Sequence, residues 1–386
     1  MYCKGKESES PGDKRAMYRM ISQEFCTKYH IAIEDTLPGM EAAVEAGVPC
    51  FLPQSRRYNE RVVSVLKAVC MPNEKALSEP LYMGVDFGGT HTAVGFGEIL
   101  WLHLPYSYEN KDEQEIIQFL KKICGSLTVR ALGIALACTL VPVDSKMQER
   151  RISKYSTKFS SLSKIKEGNI NMIQDVWKEK LGVPVFILND SEAAAIAEHR
   201  KGGGRCSDNV LVLTLGTSIG AGFIFHGKLL VGPYSRRASH IILDPEGEWC
   251  KGENHKGCWK TLAGRDAFSE LAGNMGFPKD SKEISEKAQE GDPKVQLFYK
   301  YYAERVAAGI ANIVGAVPFE RIVIGGGIAR AGDVFFAPLK ERLERGDLLD
   351  SAIAAALVSR IVPAELREPV VTGACLYAEE MLQSKT

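Results

Sequence analysis

The stretch Gly84–Thr90 has the sequence GVDFGGT, in which an apolar strand pattern runs into a tight glycine turn. Gly88 and Gly89 let backbone amides approach an anion closely, and the Thr90 hydroxyl adds a donor. Asp86 ends the strand, where a carboxylate can hold Mg²⁺ through water. The stretch predicts a phosphate-binding turn, although taken alone it also fits a plain hairpin.

Two later glycine clusters repeat this pattern. The turn Gly216–Gly220 follows an apolar strand pattern at 210–215 and precedes another at 221–225, and Gly325–Gly327 follows a third at 321–324. Three such turns in this order are more specific than any one of them. The candidate phosphate and nucleotide contacts here are Gly216, Thr217, Ser218, Gly326 and Gly327.

A carboxylate stands where another strand pattern ends. Val185–Leu188 runs into Asn189 and Asp190, and an alanine-rich helix follows to Arg200. Asn189 with Glu192 fits a capping box, which is a structural role. A carboxylate at a strand end can also accept the proton of an attacking hydroxyl, and phosphoryl transfer asks for little more than positioning, charge neutralisation and such a base.

Strand and helix patterns alternate along the chain. Glu113–Cys124 is amphipathic, 131–137 is a buried strand, and a long helix is predicted over 298–317. This alternation predicts an α/β protein with largely buried sheets. Two glycine hairpin turns, at Gly88 and Gly216, suggest two related lobes that face one cleft.

These motifs resemble the ROK family of sugar kinases. The similar segments are 84–90, 188–198, 215–222 and 324–328, and the resemblance covers about residues 81 to 380. It implies a two-lobed, ribonuclease-H-like fold of the actin/hexokinase type that binds ATP with Mg²⁺ and a sugar. It also implies that Asp190 is the catalytic base, that Asn189 and His240 contact the sugar, and that the protein is a homodimer.

The sequence departs from the family pattern at the sugar-binding acids. Counting from His240, Arg237 and Lys260 stand where glutamates are usual, and residues 146–166 include Arg150 among seven basic residues against one acid. One hypothesis is a cationic pocket for an acidic or phosphorylated sugar. The alternative is a solvated basic face with a drifted specificity.

A metal site is a second open question. The family carries a cysteine-rich zinc segment after the histidine, and structural zinc needs four ligands. Candidate ligands are His240, Cys250, His255 and Cys258. The alternative is a metal-free loop with two thiols.

The N-terminal zone has its own resemblance. Strand patterns at 31–33 and 48–52 flank a short helix pattern at 39–46, which predicts a small Rossmann-like βαβ fragment. Its motifs resemble the last core motif of HAD-type phosphatases, in which acids such as Glu34 and Asp35 help to hold Mg²⁺. The nucleophile strand would have to lie upstream, so we interpret this zone as a remnant or docking element. In the alternative, Glu34 and Asp35 merely begin a helix.

Composition excludes several classes. Lys+Arg and Asp+Glu are 48 each, so the chain has no net positive charge that would attract nucleic acid or anionic lipid. The longest apolar run, 131–143, is too short to span a bilayer, and the polar first ten residues lack a signal-peptide apolar region. Ten scattered cysteines fit reduced thiols in the cytoplasm.

The predicted domains are a HAD-like fragment at 1–58, a helix and linker at 59–80, and kinase lobes at 81–200 and 201–386. The predicted function is an ATP-dependent sugar kinase, a glucokinase-like phosphotransferase with an alcohol acceptor. A non-catalytic nucleotide- or sugar-binding regulator and a polyphosphate-using glucokinase are the alternatives, and a phosphatase is disfavoured by the missing nucleophile.

Overall fold

The structure is a computed structural model of the 386-residue chain. It describes residues 32–33, 50–53, 81–88, 92–96, 99–104, 112–125, 129–143, 150–152, 168–216, 218–232, 237–251, 253–277, 281–289 and 291–384. The chain forms two compact units, one of Met1–Ala193 with Leu366–Thr386 and the other of Ala194–Glu365. Among the described residues, no helix is long and apolar enough to cross a membrane.

The strands are, in chain order, β1 Ala32–Ile33, β2 Cys50–Pro53, β3 Leu81–Phe87, β4 Thr92–Phe96, β5 Ile99–Leu104, β6 Val129–Leu136, β7 Leu140–Pro142, β8 Arg150–Ile152, β9 Val185–Asn189, β10 Val210–Leu215, β11 Ile219–Phe225, β12 Lys228–Leu229, β13 Arg321–Gly325 and β14 Ile361–Pro363. The helices are α1 Glu113–Gly125, α2 Ile170–Leu181, α3 Asp190–Lys201, α4 Trp259–Ala263, α5 Arg265–Asn274, α6 Ser281–Gln289, α7 Pro293–Ala316, α8 Asp333–Glu344, α9 Ser351–Val358 and α10 Pro369–Gln383. Two 3₁₀ turns lie at Ala238–His240 and Ile328–Ala331.

The first unit is built on a seven-stranded sheet of order β1-β2-β5-β4-β3-β6-β9. Strands β3, β6 and β9 are parallel neighbours, and β4 and β5 return antiparallel beside β3. β1 and β2 pair in parallel, and β2 joins the sheet through β5. The described N-terminal strands therefore extend the same sheet.

The two faces of β3 have different neighbours because side chains alternate along a strand. Met83, Val85 and Phe87 pack in one core with α1 and α2. On the other face, a Cβ on Gly84 would lie 2.1 Å from the Val371 carbonyl oxygen, and one on Gly133 of β6 would meet α10 as closely. These glycines let the C-terminal helix lie directly on the first sheet.

The second unit has a five-stranded sheet of order β12-β11-β10-β13-β14, in which β10, β13 and β14 are parallel. The long helix α7 supplies much of its core, including fully buried Phe298, Tyr299 and Tyr302. The helix begins earlier than the predicted residue 298 because Asp292 accepts from the Lys294 amide at 2.8 Å and Pro293 occupies the first position.

The structure agrees with the predicted strands and helices at 113–124, 131–137, 185–200, 210–225 and 321–324 to within a few residues. Helix α10 packs on the first sheet, so the first compact unit includes the C-terminal residues Leu366–Thr386. The predicted helices at 39–46 and 59–80, together with Glu34 and Asp35, lie outside the described residues.

Candidate functional site

Three strand ends meet at one edge of the first sheet. Phe87 is paired with Leu136, and Leu136 with Asn189, so β3, β6 and β9 end side by side. The Ala137 amide donates to the Phe87 carbonyl at 3.5 Å, which joins the first two ends. Asp86 is buried near this edge. By register Asp86 lies level with Leu188, two strand spacings of about 4.8 Å away, and Asp190 follows two residues after Leu188.

Asn189 is buried and held from both sides at this edge. Its side-chain amide donates to the Cys138 carbonyl at 2.5 Å, and its Oδ1 accepts from the Ser191 amide at 2.8 Å. Its own amide donates to Glu192 Oε2 at 3.0 Å, which is half of the predicted capping box. The other half forms one residue early, at Ser191 instead of Glu192.

Asp190 is the first residue of helix α3 and is only partly buried. Its Oδ1 accepts from the Ser191 amide at 2.7 Å, and the positive end of the helix dipole lies beneath it. A partly exposed carboxylate at the strand-end edge can take a proton from a bound hydroxyl.

A buried ion pair supports this junction, and it was not predicted from the sequence. Arg150 Nη1 donates to Glu192 Oε2 at 2.9 Å, with side-chain exposures of 9% and 1%. The pKa of the neighbouring Cys138 thiol is raised by burial and by the Asp190 and Glu192 carboxylates, and is lowered in part by Arg150. Arg150 therefore contributes neither to a solvated basic face nor to a free cationic pocket, because its guanidinium is buried and paired with Glu192.

Two glycine turns lie side by side at the edge of the second sheet. Thr214 of β10 is paired with Gly325 of β13, so the turns that follow these parallel strands are adjacent. Gly326 has φ +92°, and a Cβ there would lie 2.3 Å from the Leu215 carbonyl oxygen. Only glycine permits this approach without strain. Ser218 and Gly326 are exposed at this edge, whereas Gly89, Thr90 and Thr217 lie outside the described residues.

The four candidate metal ligands come together in the second unit. The ligand atoms of His240, Cys250, His255 and Cys258 all lie within 4.8 Å of one another. His240 Nδ1 is 3.7 Å from Cys250 Sγ and 3.6 Å from Cys258 Sγ. A nitrogen and a sulfur bound to one tetrahedral zinc would be roughly 3.6 Å apart, given the usual zinc bond lengths.

His255 adds a further observation to this cluster. Its buried Nε2 has no hydrogen-bond partner within the described ranges. The Cys250 amide donates to the His255 carbonyl at 3.0 Å, and Gly257 has φ +57° where a Cβ would overlap the Asp244 carbonyl. The loop thus folds back so that its thiols and imidazoles converge, and the set fits zinc.

Arg237 and Lys260 lie on neighbouring elements around this loop. Arg237 is exposed and precedes the Ala238–His240 turn, and Lys260 is partly exposed in α4. The Trp259 amide donates to the Ile241 carbonyl at 2.9 Å, which joins the two elements. Neither basic side chain has a hydrogen-bond or ion-pair partner in the part of the chain that the structure describes.

The two sheets, with the helices packed on them, define the chain as an α/β protein whose parallel strands end in glycine-containing turns. The family model described as "ROK family" matches residues 82–380, and the chain belongs to this family.

Three similar proteins illustrate this relationship. The glucokinase of Thermotoga maritima is 26% identical over 68% of this chain and 86% of its own length. The N-acetylmannosamine kinase of Shigella boydii is 26% identical over 64% and 84%, respectively. The crystal structure of a ROK family glucokinase from Streptomyces griseus in complex with glucose and AMPPNP has a TM-score of 0.59 and 25% identity, and the match covers 78% of this chain and 99% of that one.

Proposed function

We propose that this protein is an ATP-dependent sugar kinase in which Asp190 is the catalytic base. The observation that carries the proposal is that Asp190 shares a sheet edge with the Asp86–Gly88 turn, with its neighbour Asn189 fixed by three hydrogen bonds. Asp190 accepts the proton of the acceptor hydroxyl as that oxygen attacks the γ-phosphorus, and ADP leaves. Asn189 orients the acceptor.

We propose phosphate or nucleotide contacts in each of the two units, taken separately. In the first unit these are Asp86, Gly88, Gly89 and Thr90, and in the second they are Gly216, Thr217, Ser218, Gly326 and Gly327. Mg²⁺ bound with ATP would neutralise charge on the phosphates, and the buried Asp86 carboxylate is suited to hold it through water. The relative crystallised with glucose and AMPPNP supports a sugar and ATP as the two substrates.

We also propose that His240, Cys250, His255 and Cys258 hold a structural zinc. The convergence of two thiols and two imidazoles supports this, as does the buried and unpartnered Nε2 of His255. Nδ1 of His240 faces the sulfurs, and we propose that the acceptor is contacted through the other ring nitrogen, Nε2. Metal analysis of the purified protein tests the site, with one zinc per chain expected.

The acceptor is proposed to be an acidic or phosphorylated sugar. Arg237 and Lys260 support this, because both are cationic and lack a partner in the described ranges. Isothermal titration with paired neutral and acidic sugars tests it. Tighter binding of the acidic partner supports the proposal, and tight binding of glucose alone contradicts it.

Other proposals concern the surroundings of the site. We propose that the protein is a cytoplasmic homodimer. The HAD-like interpretation of residues 1–58 stays a prediction, and we propose that this segment serves as a docking element. β2 pairs with β5 and so extends the first sheet, which supports a segment that is attached to the first unit rather than a separate domain.

The direct test is ATP consumption across a panel of sugars, with Asp190→Asn as the control. Acceptor-dependent ADP release by the wild type and its loss in the variant are expected. A second candidate is a non-catalytic regulator, which the basic Arg237 and Lys260 favour; it predicts ligand binding without turnover. Replacing ATP by polyphosphate tests the remaining alternative, a polyphosphate-using glucokinase.

A further inference from the structure

One carboxylate oxygen beneath the catalytic junction receives two hydrogen bonds. Glu192 Oε2 accepts from the Asn189 amide at 3.0 Å and from Arg150 Nη1 at 2.9 Å. Its other oxygen, Oε1, is buried and has no partner among the described residues. All of the interactions described for this carboxylate are therefore made through the oxygen that holds the Asn189 backbone.

Arg150 connects this oxygen to two other elements. Its Nη2 donates to the Ile187 carbonyl at 3.3 Å, two residues before Asn189 on β9. Arg150 belongs to β8, which pairs with β7, and Pro142 is its partner there. Burial raises the pKa of the nearby Tyr377 hydroxyl, and a hydrogen bond with Arg150 opposes that rise, so α10 also faces the guanidinium. One side chain thus joins the β7–β8 ribbon to the start of α3.

Stability alone does not account for such an arrangement. Well-packed apolar residues often replace a buried ion pair with no loss of stability. What an apolar pair cannot supply is an acceptor for the Asn189 amide. This amide begins the peptide that carries the proposed acceptor ligand and leads into Asp190.

We propose that Arg150 and Glu192 are positioning residues, which together hold the Asn189–Asp190 peptide in its reactive orientation. This inference rests on the proposed kinase function. Arg150 pairs with the buried carboxylate and turns it toward the Asn189 amide, and Glu192 passes that restraint to the backbone. Neither side chain exchanges a proton with the substrates.

Three variants separate positioning from stability. Arg150→Met leaves the Glu192 charge buried without its partner, and kcat is expected to fall roughly 10- to 100-fold. Arg150→Met with Glu192→Gln removes the charge but keeps an oxygen for the Asn189 amide, so kcat returns most of the way to wild type. Arg150→Met with Glu192→Leu restores stability without an acceptor, so kcat stays low while KM for ATP is unchanged. Arg345→Met is the matched control and leaves kcat unchanged, because Arg345 forms partly exposed ion pairs with Glu304 at 3.1 Å and Glu341 at 3.6 Å.

The outcomes are read from kcat, the melting temperature and amide hydrogen exchange of a peptide over residues 186–196. Faster exchange and low kcat in the Glu192→Leu double variant, at a wild-type melting temperature, support positioning. If kcat in all variants simply follows the melting temperature, the proposal is overturned. If the wild type transfers no phosphate, the kinase proposal fails separately, and hydrogen exchange still decides the role of the pair: unchanged exchange in the Glu192→Leu double variant overturns it.

Discussion

The Asn189–Asp190 junction and the loop from Arg237 to Lys260 differ in how closely they follow the family. At the junction, the expected residues are present and the Asn189 amide, side-chain nitrogen and side-chain oxygen are all bonded. In the loop, two expected acids are basic and His255 joins two cysteines. Residues at strand ends are positioned by the sheet, whereas the residues of binding loops vary more among related proteins. This difference supports the two proposals made above, that the phosphoryl-transfer reaction is kept and that the acceptor is changed.

The largest effect is expected from Asp190→Asn, which removes the base but keeps the size of the side chain. Loss of a general base typically costs 10²- to 10⁴-fold, so kcat should fall by about that much. The acceptor Kd, measured by titration, should change less than about threefold, since Asn189 remains in place. Asp333→Asn, at the exposed start of α8, is the control. A variant that keeps half of the wild-type kcat would show that the junction does not carry the reaction.

Removing a ligand of the proposed zinc tests the loop from Arg237 to Lys260. His255→Ala should lose zinc and raise the acceptor KM by roughly 10- to 100-fold, with a smaller change in kcat, because the loop carries His240 and Lys260. Metal analysis and steady-state kinetics measure both. Lys251→Ala, whose side chain is 85% exposed in the same loop, is the control. Unchanged kinetics in a zinc-free variant would show that the metal does not contribute to acceptor binding.

A third change tests the glycine turns at the edge of the second sheet, where we propose nucleotide contacts. Gly326→Ala forces a side chain into a φ of +92° and against the Leu215 carbonyl. KM for ATP should rise about tenfold while the acceptor Kd is unchanged, since the displaced backbone borders only the second-unit turns. Gly273→Ala is the control, because a Cβ there meets nothing within 4 Å. A wild-type KM for ATP would remove Gly326 from the proposed site.

The smallest effect is expected from reversing the two basic residues. Arg237→Glu with Lys260→Glu should weaken binding of an acidic sugar by about tenfold, which is about 1.4 kcal/mol, and strengthen binding of its neutral counterpart. Titration of the paired sugars measures the change. Arg265→Glu, exposed at the start of α5, tests for a general charge effect. Equal losses in both variants would argue against a specific cationic pocket.

Sequence patterns predicted the strands, and the place of Asp190 directly after one of them, because those features are local. The apolar run before Gly84 and the Asn189–Glu192 spacing each lie within a few residues. The Arg150–Glu192 pair spans 42 residues, and no local spacing signals it. The packing of α10 on the first sheet depends on Gly84 and Gly133. Their role also could not be predicted, because α10 is distant from both glycines in the sequence. The convergence of the four metal ligands was predicted as one of two alternatives, since spacing alone does not show how a loop folds back.

A crystal structure with a non-hydrolysable ATP analogue and the sugar that the activity panel selects would show whether Asp190 reaches the acceptor. If Asp190 is the base, the attacking hydroxyl lies about 2.6–3.2 Å from an Asp190 carboxylate oxygen and in line with the γ-phosphorus. A bound sugar whose hydroxyls all lie beyond hydrogen-bond reach of Asp190, in a complex that turns over when ATP is supplied, would contradict it.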